Sequence, residues 1–97
     1  MKTLKKVEII PVFLEGFMPD DKDIQELHIY ISRQYNCAIH FCLCGCKVKT
    51  VTPLMEGEWT LTENEGKISF SPSIANYQWP CNSHYVITDN IATFLGE

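Results

Sequence analysis

Apolar and polar positions alternate along this chain in short bursts, a period of two that suits strands with one face in a core. Val7 to Leu14 is β-rich, and Pro11 inside it points to an edge or bulged strand, because proline cannot donate to a ladder. Gly16 to Asp23, with glycine, proline and three aspartates, reads as a loop. Leu27 to Ser32 mixes β-branched and aromatic residues and reads as a strand. A helix from Asp20 to Tyr35 competes with it, since Asp20 can cap and Ile24, Leu27, His28 and Ile31 share a helical face. The run Ile29-Tyr30-Ile31 would give that helix too wide an apolar girth, so the strand is preferred.

Ala38 to Cys44 alternates strictly, with His40, Cys42 and Cys44 on one face and Ile39, Phe41 and Leu43 on the other. Gly45 permits a tight turn, and Lys47 to Thr52 returns as a strand that ends at Pro53. Two hairpins follow. Glu58 to Thr62 and Lys67 to Phe70 flank Glu63-Asn64-Glu65-Gly66, and His84 to Thr88 and Ile91 to Leu95 flank Asp89-Asn90. Ser71-Pro72-Ser73 and Asn76 to Ser83 read as irregular stretches. Short strands at this spacing predict an all-β fold, a small β-sandwich or open barrel of antiparallel strands. With 97 residues and no repeats or linkers, the expectation is a single domain over 1–97.

Charge narrows the function. Eight Lys and Arg against twelve Asp and Glu give a net charge of −4, and no basic run is present, so nucleic acid is not the expected partner. No apolar run approaches the length of a membrane-spanning helix. Met1 to Lys6 is positive, but Val7 to Leu14 is short, is broken by Glu8 and Pro11 and leads to no small-residue cleavage site. It is not read as a signal peptide, and the expected compartment is the reducing cytoplasm.

Cysteine usage carries the first chemistry. There are five, an odd number, and three of them stand at Cys42, Cys44 and Cys46. A secreted disulfide scaffold favours an even, dispersed count, and cysteines two apart do not readily pair. Clustered thiols read better as ligands of zinc, which takes four sulfur or nitrogen donors in a tetrahedron. Cys81 and His84 form a second short-spaced pair on a distant turn, and His40 shares a face with Cys42. If all four cysteines bind, the site is closed and structural, and His84 is left for chemistry. If His84 binds, one cysteine is released, and the ion is catalytic only with an open position. The spacings differ from the paired cysteines of common zinc fingers, and the competing reading is a set of buried thiols packed as small hydrophobes. A Rieske-type cluster needs Cys-x-His first, whereas the order here is His40-x-Cys42. Cys37 stands apart and is expected to be buried and inert.

Ser73, in the turn sequence Ser71-Pro72-Ser73, is the candidate nucleophile. A serine hydroxyl attacks only when a base takes its proton, and His84 or His40 would serve as that base. Asn76 and Asp89 are candidates for a third, orienting member, and neither has positional support.

From about Leu27 to Phe94 the sequence resembles a small zinc-binding family encoded with bacterial ubiquitin-like conjugation cassettes. The likeness rests on Ile29-Tyr30-Ile31-Ser32, on Ala38-Ile39-His40-Phe41-Cys42-Leu43-Cys44-Gly45-Cys46 and on Trp59. It continues through Ser71-Pro72-Ser73-Ile74-Ala75-Asn76 and Cys81-Asn82-Ser83-His84-Tyr85. The family usually has glycine where Lys47 and Ala75 stand. The resemblance implies a serine-type protease, deubiquitinase-like, that processes or removes the ubiquitin-like modifier. Ser73 would be the nucleophile, His84 the base and His40 its alternative, with one structural zinc on Cys42, Cys44, Cys46 and Cys81. The implied partners are the modifier, its conjugates and the E1-like and E2-like enzymes. The rival expectations are a non-catalytic zinc adaptor that recruits the modifier or its conjugating enzyme, and hydrolysis by a metal-bound water.

Overall fold

Ten short strands and one 3-10 turn run through residues 5–76 and 80–95, the part of the chain that the computed structural model describes. The positive start at Met1 to Leu4 and residues 77–79 of the irregular stretch lie outside the described residues. In chain order the strands are β1 (Lys6–Glu8), β2 (Ile10–Phe13), β3 (His28–Ser32), β4 (Cys37–Phe41) and β5 (Lys49–Pro53). They continue as β6 (Thr60–Asn64), β7 (Lys67–Ser71), β8 (Ile74–Ala75), β9 (His84–Thr88) and β10 (Ile91–Phe94). Two four-stranded sheets, ordered β1-β10-β9-β8 and β2-β3-β4-β5, are joined by the β6-β7 hairpin. The fold is all-β with open sheets.

The run Val7 to Leu14 forms two strands, because the chain changes sheets at Ile9. The Ile9 amide donates to the Asn90 carbonyl at 2.8 Å, and its side chain is buried in the main core. β1 then belongs to one sheet and β2 to the other, where β2 is an edge strand that tolerates Pro11. One pairing departs from the antiparallel expectation: β2 runs parallel to β3, from Ile10 opposite His28 to Phe13 opposite Ile31. Residues 14–27 supply the long crossover a parallel pair requires, including the 3-10 turn Asp21–Asp23.

β3 has both faces buried, which explains an apolar run too broad for one-sided alternation. Ile29 and Ile31 join the main core with Ala38, Leu43, Ile68, Phe70, Ile74, Tyr85, Ile87 and Ala92. Tyr30 points the other way, into a smaller cluster with Ile24 and Ile39 that Val12, Leu14 and Met18 cover. The Tyr30 hydroxyl accepts the Gln25 amide at 3.0 Å, so its polar end is satisfied beneath the crossover.

The last hairpin turns at Asp89 and Asn90, both left-handed with φ of 50° and 69°, a geometry whose twist matches that of the flanking strands. Asn90 also ties the sheets together. Its amide donates to Ile68 O at 2.9 Å, and its Oδ1 accepts the Ile68 amide at 2.8 Å, which docks β7 on the β9-β10 turn. No helix among the described residues is long and apolar enough to cross a membrane.

Candidate functional site

The strict alternation of Ala38 to Cys44 ends one residue after β4, where the chain folds into a knuckle over residues 42–46. The Cys42 amide donates to Val48 O at 2.7 Å, and the Gly45 amide donates to Cys42 O at 3.1 Å. Gly45 and Lys47 are left-handed, with φ of 97° and 67°. Glycine at the Lys47 position, as in the resembled family, would relieve strain on the order of 1 kcal/mol. Ala75 shows no such demand; it sits in β8, where a methyl group is ordinary.

The knuckle points three sulfurs at a fourth. The Sγ atoms of Cys42, Cys44, Cys46 and Cys81 all lie within 4.8 Å of one another. Cys42 stands 3.5 Å from Cys44 and 3.8 Å from Cys81. Zinc–sulfur bonds of about 2.3 Å in a tetrahedron place sulfurs about 3.8 Å apart, so the cluster fits a four-thiolate ion. Cys37 opens β4, half-buried, outside this group.

Hydrogen bonds to sulfur reinforce the fit. The Cys46 amide donates to Cys44, the Val48 amide to Cys46 and the Ser83 amide to Cys81, each two residues ahead of its acceptor. The Ser83 hydroxyl lies against both Cys81 and Cys44, and its one proton can serve either sulfur. That hydroxyl is the main reason the Cys81 thiol is lowered to about 6. At Cys44 burial opposes ionisation, but the bonds from Ser83, Cys46 and Cys42 outweigh it and bring the thiol below its ordinary value. Desolvation, followed by the bonds Cys46 donates to the other sulfurs, pushes Cys46 up to about 12. Four thiols this close ionise together only with a cation among them, so the cluster is one that could hold a metal ion.

A buried polar chain backs the cluster. Tyr85 lies on β9, fully buried, and its hydroxyl stands 2.7 Å from His40 Nε2. It also bonds Cys42 and the Leu43 amide, and burial followed by the Cys42 charge holds its phenol well above the usual range. Burial lowers His40 to about 4, so its ring is neutral at pH 7. The arrangement that satisfies most groups has His40 Nε2–H donating to Tyr85 and Tyr85 O–H donating to Cys42. His40 Nδ1 then remains a buried acceptor without a hydrogen-bond partner among the described residues. Tyr85→Phe is expected to cost about 1–3 kcal/mol in a denaturant melt of the metal-loaded protein, because it strands His40 Nε2. A cost near zero would show that the hydroxyl carries none of this load.

Ser73 occupies the corner between β7 and β8, half-buried, and His84 begins β9 opposite Ala75. Ser73 Oγ lies 2.6 Å from His84 Nε2. Trp59 Nε1 donates to the Ser73 carbonyl at 3.2 Å and steadies the corner. His40, the alternative base, directs Nε2 to Tyr85 instead, and Ser73 meets His84. Asn76 is buried with Nδ2 on Thr50 Oγ1 at 3.1 Å, and Asp89 sits in the turn at the far end of β9. Sequence reasoning missed the parts played by Ser83 and Tyr85. The available signals were the position of Ser83 two residues after a ligand-type cysteine, and strand periodicity that turns Tyr85 inward.

The arrangement therefore has two adjoining parts, a four-sulfur cluster able to hold a metal ion and a serine hydroxyl on an imidazole, linked by the segment from Cys81 to His84. No curated protein and no solved structure matches the chain. The family model for the bacterial ubiquitination-like system serine protease (BubE) matches residues 15–95, nearly the whole chain, and spans both the cysteine cluster and the Ser73–His84 pair. The chain belongs to this serine protease family of bacterial ubiquitination-like systems.

Proposed function

We propose that this chain is a single-domain cytoplasmic hydrolase that cleaves the peptide or isopeptide bond at the C-terminus of its system's ubiquitin-like modifier. The observation that carries this reading is the 2.6 Å contact between Ser73 Oγ and His84 Nε2. With Nε2 as acceptor, the neutral imidazole holds its proton on Nδ1 and takes the Ser73 proton as Oγ bonds to the substrate carbonyl carbon. Collapse of the tetrahedral intermediate breaks the C–N bond, and His84 returns that proton to the departing amine. Water then attacks the Ser73 ester, again losing a proton to His84, and releases the modifier's carboxylate together with the serine hydroxyl.

Zinc is the ion we assign to Cys42, Cys44, Cys46 and Cys81, in a structural role. Four sulfur donors complete its tetrahedron and leave His84 outside the coordination set. When bound, the ion supplies folding energy and fixes the segment on which His84 begins β9.

A fluorophosphonate, which esterifies activated serines, tests the assignment alongside cleavage of a modifier–reporter fusion. One adduct per chain on Ser73, with release of the reporter, is expected. A protein that binds the modifier but neither takes the label nor cleaves the fusion is an adaptor, and the reading fails.

A further inference from the structure

Two open sheet edges face each other beside Ser73. β5 is the last strand of one sheet and β8 the last strand of the other. The bonds Cys42 N to Val48 O and Leu54 N to Asn36 O, both 2.7 Å, set the phase of the β4-β5 ladder. By alternation, Thr50 and Thr52 bond to β4, while the N–H and C=O groups of Lys49 and Val51 face outward. Pro53 shares that outward phase, and its carbonyl is taken by the Trp59 amide at 3.1 Å.

β8 is phased in the same way. Asn76 N donates to Ser83 O at 2.7 Å, so residues 76 and 74 bond to β9, and the N–H and C=O of Ala75 face outward. His84, opposite Ala75, turns its own carbonyl to the Leu95 amide of the β10 end at 2.8 Å, as that phase requires. Between the two edges lies a groove of about 310 Å³, walled by residues 49–52, Trp59 and residues 74–76. The Asn76–Thr50 hydrogen bond spans it. Trp59 both lines the groove and holds the Ser73 carbonyl, so the groove leads to the nucleophile.

Main-chain groups on both walls that have no partner among the described residues select an occupant that has main-chain groups to offer. A helix spends its own N–H and C=O groups internally, whereas an extended chain presents them sideways, alternately to left and right. We propose that the segment preceding the scissile bond lies in this groove as a strand antiparallel to β8, bonded to Ala75 on one side and Val51 on the other. The direction follows from the chemistry. With the scissile carbonyl at Ser73, the residues before it run back past Ala75 towards Asn76, opposite to β8. The substrate class is thus an unfolded, tail-like C-terminal segment read largely through its backbone. The proposal rests on the Ser73 hydrolase reading.

The test uses the full-length modifier carrying a C-terminal aminocoumarin, with a single N-methyl amide placed by ligation at each of the four final residues in turn. N-methylation should lower kcat/KM about 30-fold at the residue opposite Ala75 and about fivefold at the neighbour whose amide meets the Val51 carbonyl, with little loss at positions that meet neither wall. A flat profile across the four positions overturns the groove assignment. Val51→Pro supplies the protein-side test, since the Val51 amide lies outside the β4-β5 ladder and proline is tolerated on an edge. It should raise KM about fivefold or more, with kcat altered less. Unchanged kinetics in this variant would count against Val51 as a partner. If the variant does not fold, the N-methyl profile on the unaltered protein decides. If the unmethylated substrate is not hydrolysed and Ser73 takes no fluorophosphonate, the hydrolase reading itself falls and takes the groove with it. Hydrolysis without alternation removes the groove alone.

Discussion

Ser73→Ala is expected to reduce turnover of a modifier fusion by about four orders of magnitude or more, with fold and metal content unchanged. The substitution deletes one hydroxyl from a half-buried corner, and the cysteine cluster does not use it. His84→Ala should be as severe, and the double variant no worse, because a nucleophile and its base act as one unit. The histidine variant is the more informative of the two. If His84 is the base, the variant keeps its metal and its melting temperature. If His84 ligates the ion, it loses both, and the loss of activity is secondary. Ser83→Ala should behave differently again. Its hydroxyl is buried against Cys81 and Cys44, so metal affinity should fall by about 10–100-fold before activity is lost. Full activity in Ser73→Ala would overturn the assignment of the nucleophile.

Metal removal is expected to abolish the cooperative melt. Structural zinc sites contribute about 10–16 kcal/mol at pH 7, as much as or more than the stability of a typical small domain. The cluster joins the end of β4 to the turn before β9, so its loss releases the elements that hold both sheets in place. Elemental analysis should find about one zinc per chain. Cys44→Ser and Cys81→Ser should lose metal and fold together, whereas Cys37→Ser should melt close to the parent protein. A chelated, metal-free sample with an ordinary cooperative transition would overturn the structural role.

The hairpins were legible because both of their signals are local, a period of two and turn residues that accept a left-handed backbone, as at Asp89 and Asn90. β3 was harder to read. Burial of Tyr30 in one cluster and of Ile29 and Ile31 in another removes the alternation that separates strand from helix. The parallel β2-β3 pair was not legible, since Val7 to Leu14 carries no mark of a change of sheet at Ile9. β8 is two residues long, below any periodic signal, although it forms one wall of the groove next to Ser73. At the site, residue types and spacing supplied the candidates but left open the base, His84 or His40, and the ligands, four cysteines or a set with His84. The family resemblance favoured Ser73 with His84 and the four cysteines. The pairing of His40 with Tyr85 was not legible, because shared strand faces show which way a side chain points but not which distant partner it meets.

The segment Cys81–His84 sets unequal tolerance to insertions and deletions along the chain. Cys81 belongs to the sulfur cluster, and His84, three residues later, faces Ser73 from a strand in which successive side chains alternate. One residue gained or lost between them would move the histidine to the opposite face of β9 or pull the cysteine out of the cluster. The crossover at residues 14–27 bears a looser constraint, since Leu14, Met18, Ile24 and Gln25 must still reach Tyr30 but no strand register fixes the count of residues between them. Homologues should therefore differ in length ahead of β3 and hold a constant count from Cys81 to His84.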